Sequence, residues 1–386
     1  MDFTSDVEHT ALRDAVAAVT RSFGDSYFAE HAQAHRSTEE LWQALGKQGF
    51  IGVNMPEKFG GGGGGLSELA IVCEATASQG CPLLLLLVSS AISGEVLTRF
   101  GTPAQQETWL PAMADGQHKV VFAITEPDAG SNTHKLSTTA TRDGDDWILR
   151  GTKYYISGVD EAAAILVVAR TGTDEATGHG LLSLFLVPTD APGLTVTPLP
   201  VAAALPERQF TLFFDEVRVG ADNLVGQENH GFEQVFHGLN PERVTGAALC
   251  VGIGRYALRK AADYANTRTV WGAPIGSHQG VSHALAKAAI EVELAALMTA
   301  RAAWLHDNHE PAGEASNMAK YAAAEAALAA VDAAIQTHGG NGLSSEYGLV
   351  PLWGIARLLR IAPVNREMIL NYVAQHTLGL PRSYSR

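Results

Sequence analysis

Three runs in the last part of the chain, Val244–Thr267, Gly280–Asn308 and Glu314–Thr337, are rich in alanine, with Leu, Ile and Val recurring every three or four residues. That period predicts three long helices. Helices so long and so rich in small side chains approach one another closely, and an antiparallel bundle is the arrangement that covers them. Gly339-Gly340 terminates the third. A shorter helix from about Arg366 to His376 completes a four-helix bundle over residues 229–386.

The rest of the chain divides in two. Over residues 1–118, Val7, Ala11, Val16 and Val19 recur at helical spacing. Ser37-Thr-Glu-Glu40 has the spacing of a capping box before a helix carrying Leu41, Trp42 and Leu45. Thr102-Pro103 supplies a cap and a first-turn proline to another helix. The six glycines Gly60–Gly65 lack the strand, helix and lysine of a phosphate loop and read as a flexible loop. Residues 119–228 carry short β-prone runs: Lys119–Ala123, Leu136–Arg142, Trp147–Tyr154, Ile165–Arg170, Leu182–Val187, Leu194–Thr197 and Gln209–Val217. Turn clusters separate them and no helical pattern intervenes, which predicts an antiparallel barrel or sandwich. The expected class is α+β, mostly helical: helical domain 1–118, β domain 119–228, helical bundle 229–386. Gly252-Ile-Gly254 has no strand before it and is no dinucleotide fingerprint.

A formal net charge of −14 disfavours nucleic acid and anionic membranes as main partners, so an anionic ligand must be met by local arginines. Cys73, Cys81 and Cys250 are widely spread, with neither a disulfide framework nor zinc spacing. A reducing cytoplasm is therefore expected, with no metal. Met1–Asp6 is acidic, so no leader is expected, and the apolar run Leu83–Val88 is too short to span a bilayer.

Phe122-Ala-Ile-Thr-Glu-Pro-Asp-Ala-Gly-Ser-Asn132 gathers a hydroxyl, a carboxylate, a proline and a glycine just after an extended run. A strand ending so presents N–H groups and hydroxyls to an oxygen-rich ligand; a plain surface turn is the alternative. The run resembles the flavin-binding signature of the acyl-CoA dehydrogenase family. Four further segments match that family in order: Lys153-Tyr-Tyr-Ile-Ser-Gly158, Asn240-Pro-Glu-Arg243, Arg268-Thr-Val-Trp-Gly272 and Gln336-Thr-His-Gly-Gly-Asn-Gly342.

The resemblance implies α,β-dehydrogenation of an acyl-CoA thioester, with a carboxylate taking the α-proton and N5 of bound FAD the β-hydride. It places Phe122, Ile124 and Thr125 on the isoalloxazine and Ser131 where cofactor and substrate meet. Tyr155 replaces the usual Trp and Ser157 the usual Thr, keeping the ring and the hydroxyl. Arg268, Trp271 and Gln279 match positions for the FAD diphosphate and adenine portion. Gln336, Gly339 and Gly340 match positions that reach a neighbouring subunit's FAD, which implies a homo-oligomer, commonly a dimer of dimers. An electron-transfer flavoprotein is the expected acceptor.

The usual glutamate of the final segment is absent. Ile361-Ala-Pro-Val-Asn-Arg366 puts Pro363 at its position, with neither a carboxylate nor an N–H for the thioester oxygen. Isovaleryl-type and long-chain-type members carry the base at the start of the bundle, where this chain has Glu242, so the resemblance assigns the base to Glu242. Asn240 and Arg243 then contact substrate. The structural alternative makes Asn240 an N-cap, Pro241 the first helical residue, Glu242 an ordinary first-turn acid and Arg243 a salt-bridge partner. His338 is a candidate neighbour for the lost donor, or a packed or cofactor-side histidine. Two further functions stay open: oxidation of a carrier-bound acyl or aminoacyl group, and a non-catalytic FAD-binding subunit.

Overall fold

The computed structural model describes residues 7–24 and 26–383. Met1–Asp6, read above for a leader, lies outside them. The helices before the first strand are α1 (Val7–Arg21), α2 (Tyr27–Gln33), α3 (Glu39–Lys47), α4 (Leu66–Ser78), α5 (Glu95–Phe100) and α6 (Pro103–Ala114). A π-helical stretch, Leu86–Gly94, leads into α5. Leu41, Trp42 and Leu45 of α3 are buried as their spacing requires, each contributing roughly 1.5–3 kcal/mol. Thr102 and Gln105 form the reciprocal cap of α6. The box expected at Ser37 does not form. The Ser37 hydroxyl donates to Glu161 of the β region instead, at 2.5 Å, and Thr38 makes no side-chain cap.

The six-glycine loop is not loose. A Cβ on Gly61 would meet the Met55 carbonyl at 2.3 Å, and one on Gly62 the Val53 carbonyl at 2.8 Å. Only glycine lets these backbones approach so closely. The α4 N-terminus that follows is occupied from the bundle. The Asp307 carboxylate accepts from the N–H groups of Leu66 and Ser67 and from the Ser67 hydroxyl.

The strands are β1 (Val120–Ala123), β2 (Thr139–Asp143), β3 (Asp146–Ser157), β4 (Ala164–Thr173), β5 (Gly180–Pro188), β6 (Leu194–Leu199), β7 (Gln209–Val219) and β8 (Leu224–Val225). They run in the order β6-β7-β3-β2-β4-β5-β8, with β1 on β4. Pairing is antiparallel except that β1 and β2 each meet β4 in parallel.

One helix then dominates. α7 runs unbroken from Gly231 to Thr267. The sequence reading began it at Val244, with Asn240 as N-cap in the structural alternative; the structure overturns both boundaries. Asn240 is no cap, and Pro241 lies inside the helix, where it removes the hydrogen bond to the His237 carbonyl. The helical pattern before Val244 was hidden by Gly238 and Pro241, which tertiary packing overrides. Gly252 lets α7 press on α4, since a Cβ there would lie 2.4 Å from the Glu74 carbonyl. A short hairpin, β9 (Thr269–Val270) and β10 (Ala273–Pro274), leads to α8 (Gln279–Asp307) and α9 (Gly313–His338). α10 (Leu349–Leu359), not expected from sequence, and α11 (Arg366–Tyr372) close the chain. Among the described residues no helix is long and apolar enough to cross a membrane, and no acidic, His or Cys cluster could hold a metal. The three cysteines are buried and joined in no disulfide among the described residues.

Candidate functional site

β1 delivers Phe122, buried at the sheet, and then Ile124 and Thr125. The Thr125 carbonyl accepts from the Tyr154 N–H at 2.8 Å, fixing the loop after β1 against β3. The deeper anchor is Glu126, which the sequence reading passed over. Its carboxylate accepts from Ser137 N–H and hydroxyl, from Thr138 N–H, and from Lys153 Nζ at 2.9 Å. Lys153 also donates to the Ile124 carbonyl at 2.9 Å. Burial opposes the charge on Glu126, but Lys153 and the Thr138 and Ser137 donors outweigh it and hold the carboxyl down at about 2. A lysine on an inward-facing strand position was the available signal.

Tyr155 stands 55% exposed with φ of +58°, its ring edge-on to Tyr154. Ser157 donates to Gln209 at 3.0 Å. Ser131 accepts from Asn365 Nδ2 at 2.9 Å. That bond ties the loop after β1 to the segment before α11, where Asn365 caps the helix through Met368 N–H.

Glu242 lies mid-helix on α7, so no helix-end dipole acts on it. Its Oε2 is buried and without a hydrogen-bond partner. Burial pushes its carboxyl up to about 7, against the opposing pull of Arg243 and Lys320. Arg243 is buried and donates to Asn240 Oδ1 at 2.7 Å. Asn240 thus orients the arginine, not the helix start. Lys320 of α9, also buried, donates to the Val364 carbonyl at 2.5 Å. Lys320 is thus bonded to the Val364-Asn365 segment, which in turn reaches Ser131 on the loop after β1.

A second group gathers at the other end of the bundle. Arg268, Gln336, Gly339 and Gly340 line a cavity of about 350 Å³ with Tyr264 and His338. His338 is buried, bonds the Ala334 carbonyl and stacks on Tyr264 at 4.3 Å. It is a packed residue of this cavity. Trp271, 91% exposed, and Gln279, at the first turn of α8, lie outside the cavity wall. A cleft of about 850 Å³ between the Gly63–Gly65 loop, α5 and α7 touches Asn240 and Pro241 but not Glu242.

These surroundings fit FAD. Gly339 and Gly340 have open space where a side chain would project, so a phosphate could approach their backbone, with Arg268 beside it. The uncovered rings of Tyr155 and Trp271 offer stacking faces.

The sequence matches the family models of the acyl-CoA dehydrogenase N-terminal domain over residues 6–117, middle domain over 121–217 and C-terminal domain over 229–378. It is 55% identical over 384 residues to acyl-CoA dehydrogenase FadE12 of Mycobacterium tuberculosis, covering 99% of each chain. Among solved structures it resembles butyryl-CoA dehydrogenase from Megasphaera elsdenii, with a TM-score of 0.91, 26% identity and coverage of 98% of this chain and 100% of that one. An FAD complex of PigA gives the same TM-score, identity and coverage. With all three domain models matched in order and the full length shared with a close relative, the chain belongs to the acyl-CoA dehydrogenase family, whose members are FAD-dependent oxidoreductases acting on CH–CH donors.

Proposed function

We propose that the chain removes the α-proton of an acyl-CoA thioester with Glu242 as base. The observation that carries this is the buried, unpartnered Oε2 of Glu242, whose carboxyl burial lifts to about 7. A base poised near neutral pH combines availability with proton affinity. FAD, when bound, supplies the acceptor for the β-hydride. Phe122, Ile124, Thr125, Tyr155 and Ser157 would hold the ring, and Ser131 the junction with substrate. Asn240 holds Arg243, which keeps a positive charge beside the base and faces the incoming thioester.

The site needs a second copy of the chain. Arg268 follows the last residue of α7, 26 residues beyond Glu242, about 40 Å at 1.5 Å per residue. That exceeds the reach of one FAD. Arg268, Gln336, Gly339 and Gly340 would therefore serve the cofactor of a neighbour, with Trp271 and Gln279 on the same surface. Ile290, Leu294, Leu297 and Trp304 leave an apolar stripe exposed along α8 that a second copy would cover. An electron-transfer flavoprotein remains the proposed acceptor.

The test is anaerobic mixing of the FAD-loaded protein with a series of acyl-CoA thioesters. Bleaching of the flavin, lost in Glu242→Gln with FAD retained, supports the reading. Bleaching that survives the substitution removes Glu242 as base. Pro363, which lacks an N–H, favours one rival, a non-catalytic FAD-binding subunit; failure of every thioester to reduce the wild-type flavin would establish it.

A further inference from the structure

Lys320 is a charged side chain on the buried face of an alanine-rich helix. Ser316, Ala319, Ala323, Ala327 and Ala330 on the same face are buried apolar or small neighbours. A lysine there loses its hydration and persists only with a compensating partner. One partner is the Val364 carbonyl at 2.5 Å. An ammonium has three donors, so this bond leaves capacity for more. The groups that act on it electrostatically are Cys250, Glu242 and Arg243 from α7 and Glu325 from its own helix. Tyr372 of α11 acts on Arg243, and Glu325 is paired with Arg360 just after α10 and with Arg366 at the start of α11. Within this set Lys320 is the cation that bonds the segment carrying Pro363 and also acts electrostatically on the base.

We propose that Lys320 is a positioning residue for the reaction: its ammonium holds the Val364 carbonyl, next to Asn365, and supplies charge against which the Glu242 carboxylate ionises. The inference rests on the assignment of Glu242 as base. Two tasks follow from one side chain. Through Val364 it fixes Asn365, whose amide reaches Ser131 on the loop after β1. Through its charge it sets how far up the pH scale Glu242 can be carried by burial, since Lys320 and Arg243 are the groups that oppose that rise. Without Lys320 the carboxylate would remain protonated to higher pH.

The pH dependence of flavin reduction by an acyl-CoA tests this in the wild-type holoenzyme, Lys320→Met and Lys320→Arg. Lys320→Met moves the acid limb of the rate profile to higher pH by about one unit, a common size for an environmental shift. Lys320→Arg returns the limb toward the wild-type position. A side chain of merely structural value would lower thermal stability and rate at every pH and leave the limb in place, which would overturn the proposal. A second measurement does not depend on Lys320→Met folding. The Lys320 ammonium is titrated by nitrogen NMR in the wild type and in Glu242→Gln. Coupling between two sites is reciprocal, so loss of the carboxylate lowers the lysine pKa, and an unmoved lysine overturns the proposal. If Glu242→Gln is inactive while Lys320→Met leaves the limb unmoved, only the role of Lys320 falls. If Glu242→Gln stays active, the base assignment falls and takes this inference with it.

Discussion

Glu242→Gln separates function from stability with a sign that the structure fixes. The folded carboxyl is raised by burial from 4.5 to about 7, so the folded state prefers it protonated. Its contribution is fully present below pH 4.5 and is lost as pH rises toward 7. A shift of about 2.5 units at 1.36 kcal/mol each gives roughly 3 kcal/mol. Solvent reaches part of the side chain, and discounting for that leaves about 2 kcal/mol. Glutamine has the same shape and never ionises. The variant should therefore match the wild type at pH 4.5 and be more stable above pH 7 by that amount. With unfolding entropy near 2.1 cal/mol/K per residue over this length, the Tm rises by about 2–3 °C at pH 8. Flavin reduction falls by about 10²–10⁴-fold, the usual scale for losing a general base. Paired melts at pH 4.5 and 8, with anaerobic stopped-flow on the same samples, read both effects. A variant that is no more stable at pH 8, or equally stabilised at both pH values, would refute the argument that burial raises this carboxyl.

Three further outcomes follow from other parts of the molecule. Glu126, held near 2 with Lys153 as partner, contributes stability that is complete above pH 4.5 and lost as pH falls toward 2; Glu126→Gln should cost about 3–5 kcal/mol by stranding a buried lysine and flatten that acid window in urea melts. Asp307→Ala should cost about 1–2 kcal/mol by stripping the cap from α4, while the pH limb of flavin reduction stays in place. Leu294→Asp with Leu297→Asp on the exposed α8 stripe should yield monomers by analytical ultracentrifugation and reduce bound FAD; a wild-type protein that is monomeric with full FAD would contradict the shared-site reading.

The three-part architecture was legible because its signals are local. Alanine-rich runs with regular Leu and Val report helices wherever they pack, and the strands β3 to β7 lie where alternating β-prone runs predicted them. Thr102-Pro103 formed its cap because both partners lie within one turn. Ser37 did not, since a carboxylate 124 residues away competed for its hydroxyl. The start of α7 was misread for a related reason: Asn240 and Pro241 carry the composition of a helix beginning. Only packing on α4, α9 and the π-helical stretch carries the helix through them.

What the residues alone determined was the alternation of helical and extended segments and the motif order; the family resemblance is what pointed to Glu242 once Pro363 stood at the usual glutamate position. What the tertiary structure decided was the environment of each charge: that Glu242 is mid-helix and desolvated, that Lys153 and Lys320 are buried cations with partners on other elements, and that Arg268 lies just past the end of the helix that carries Glu242. Periodicity depends on neighbours a few residues apart, whereas solvation and pairing depend on chain segments that meet only after folding.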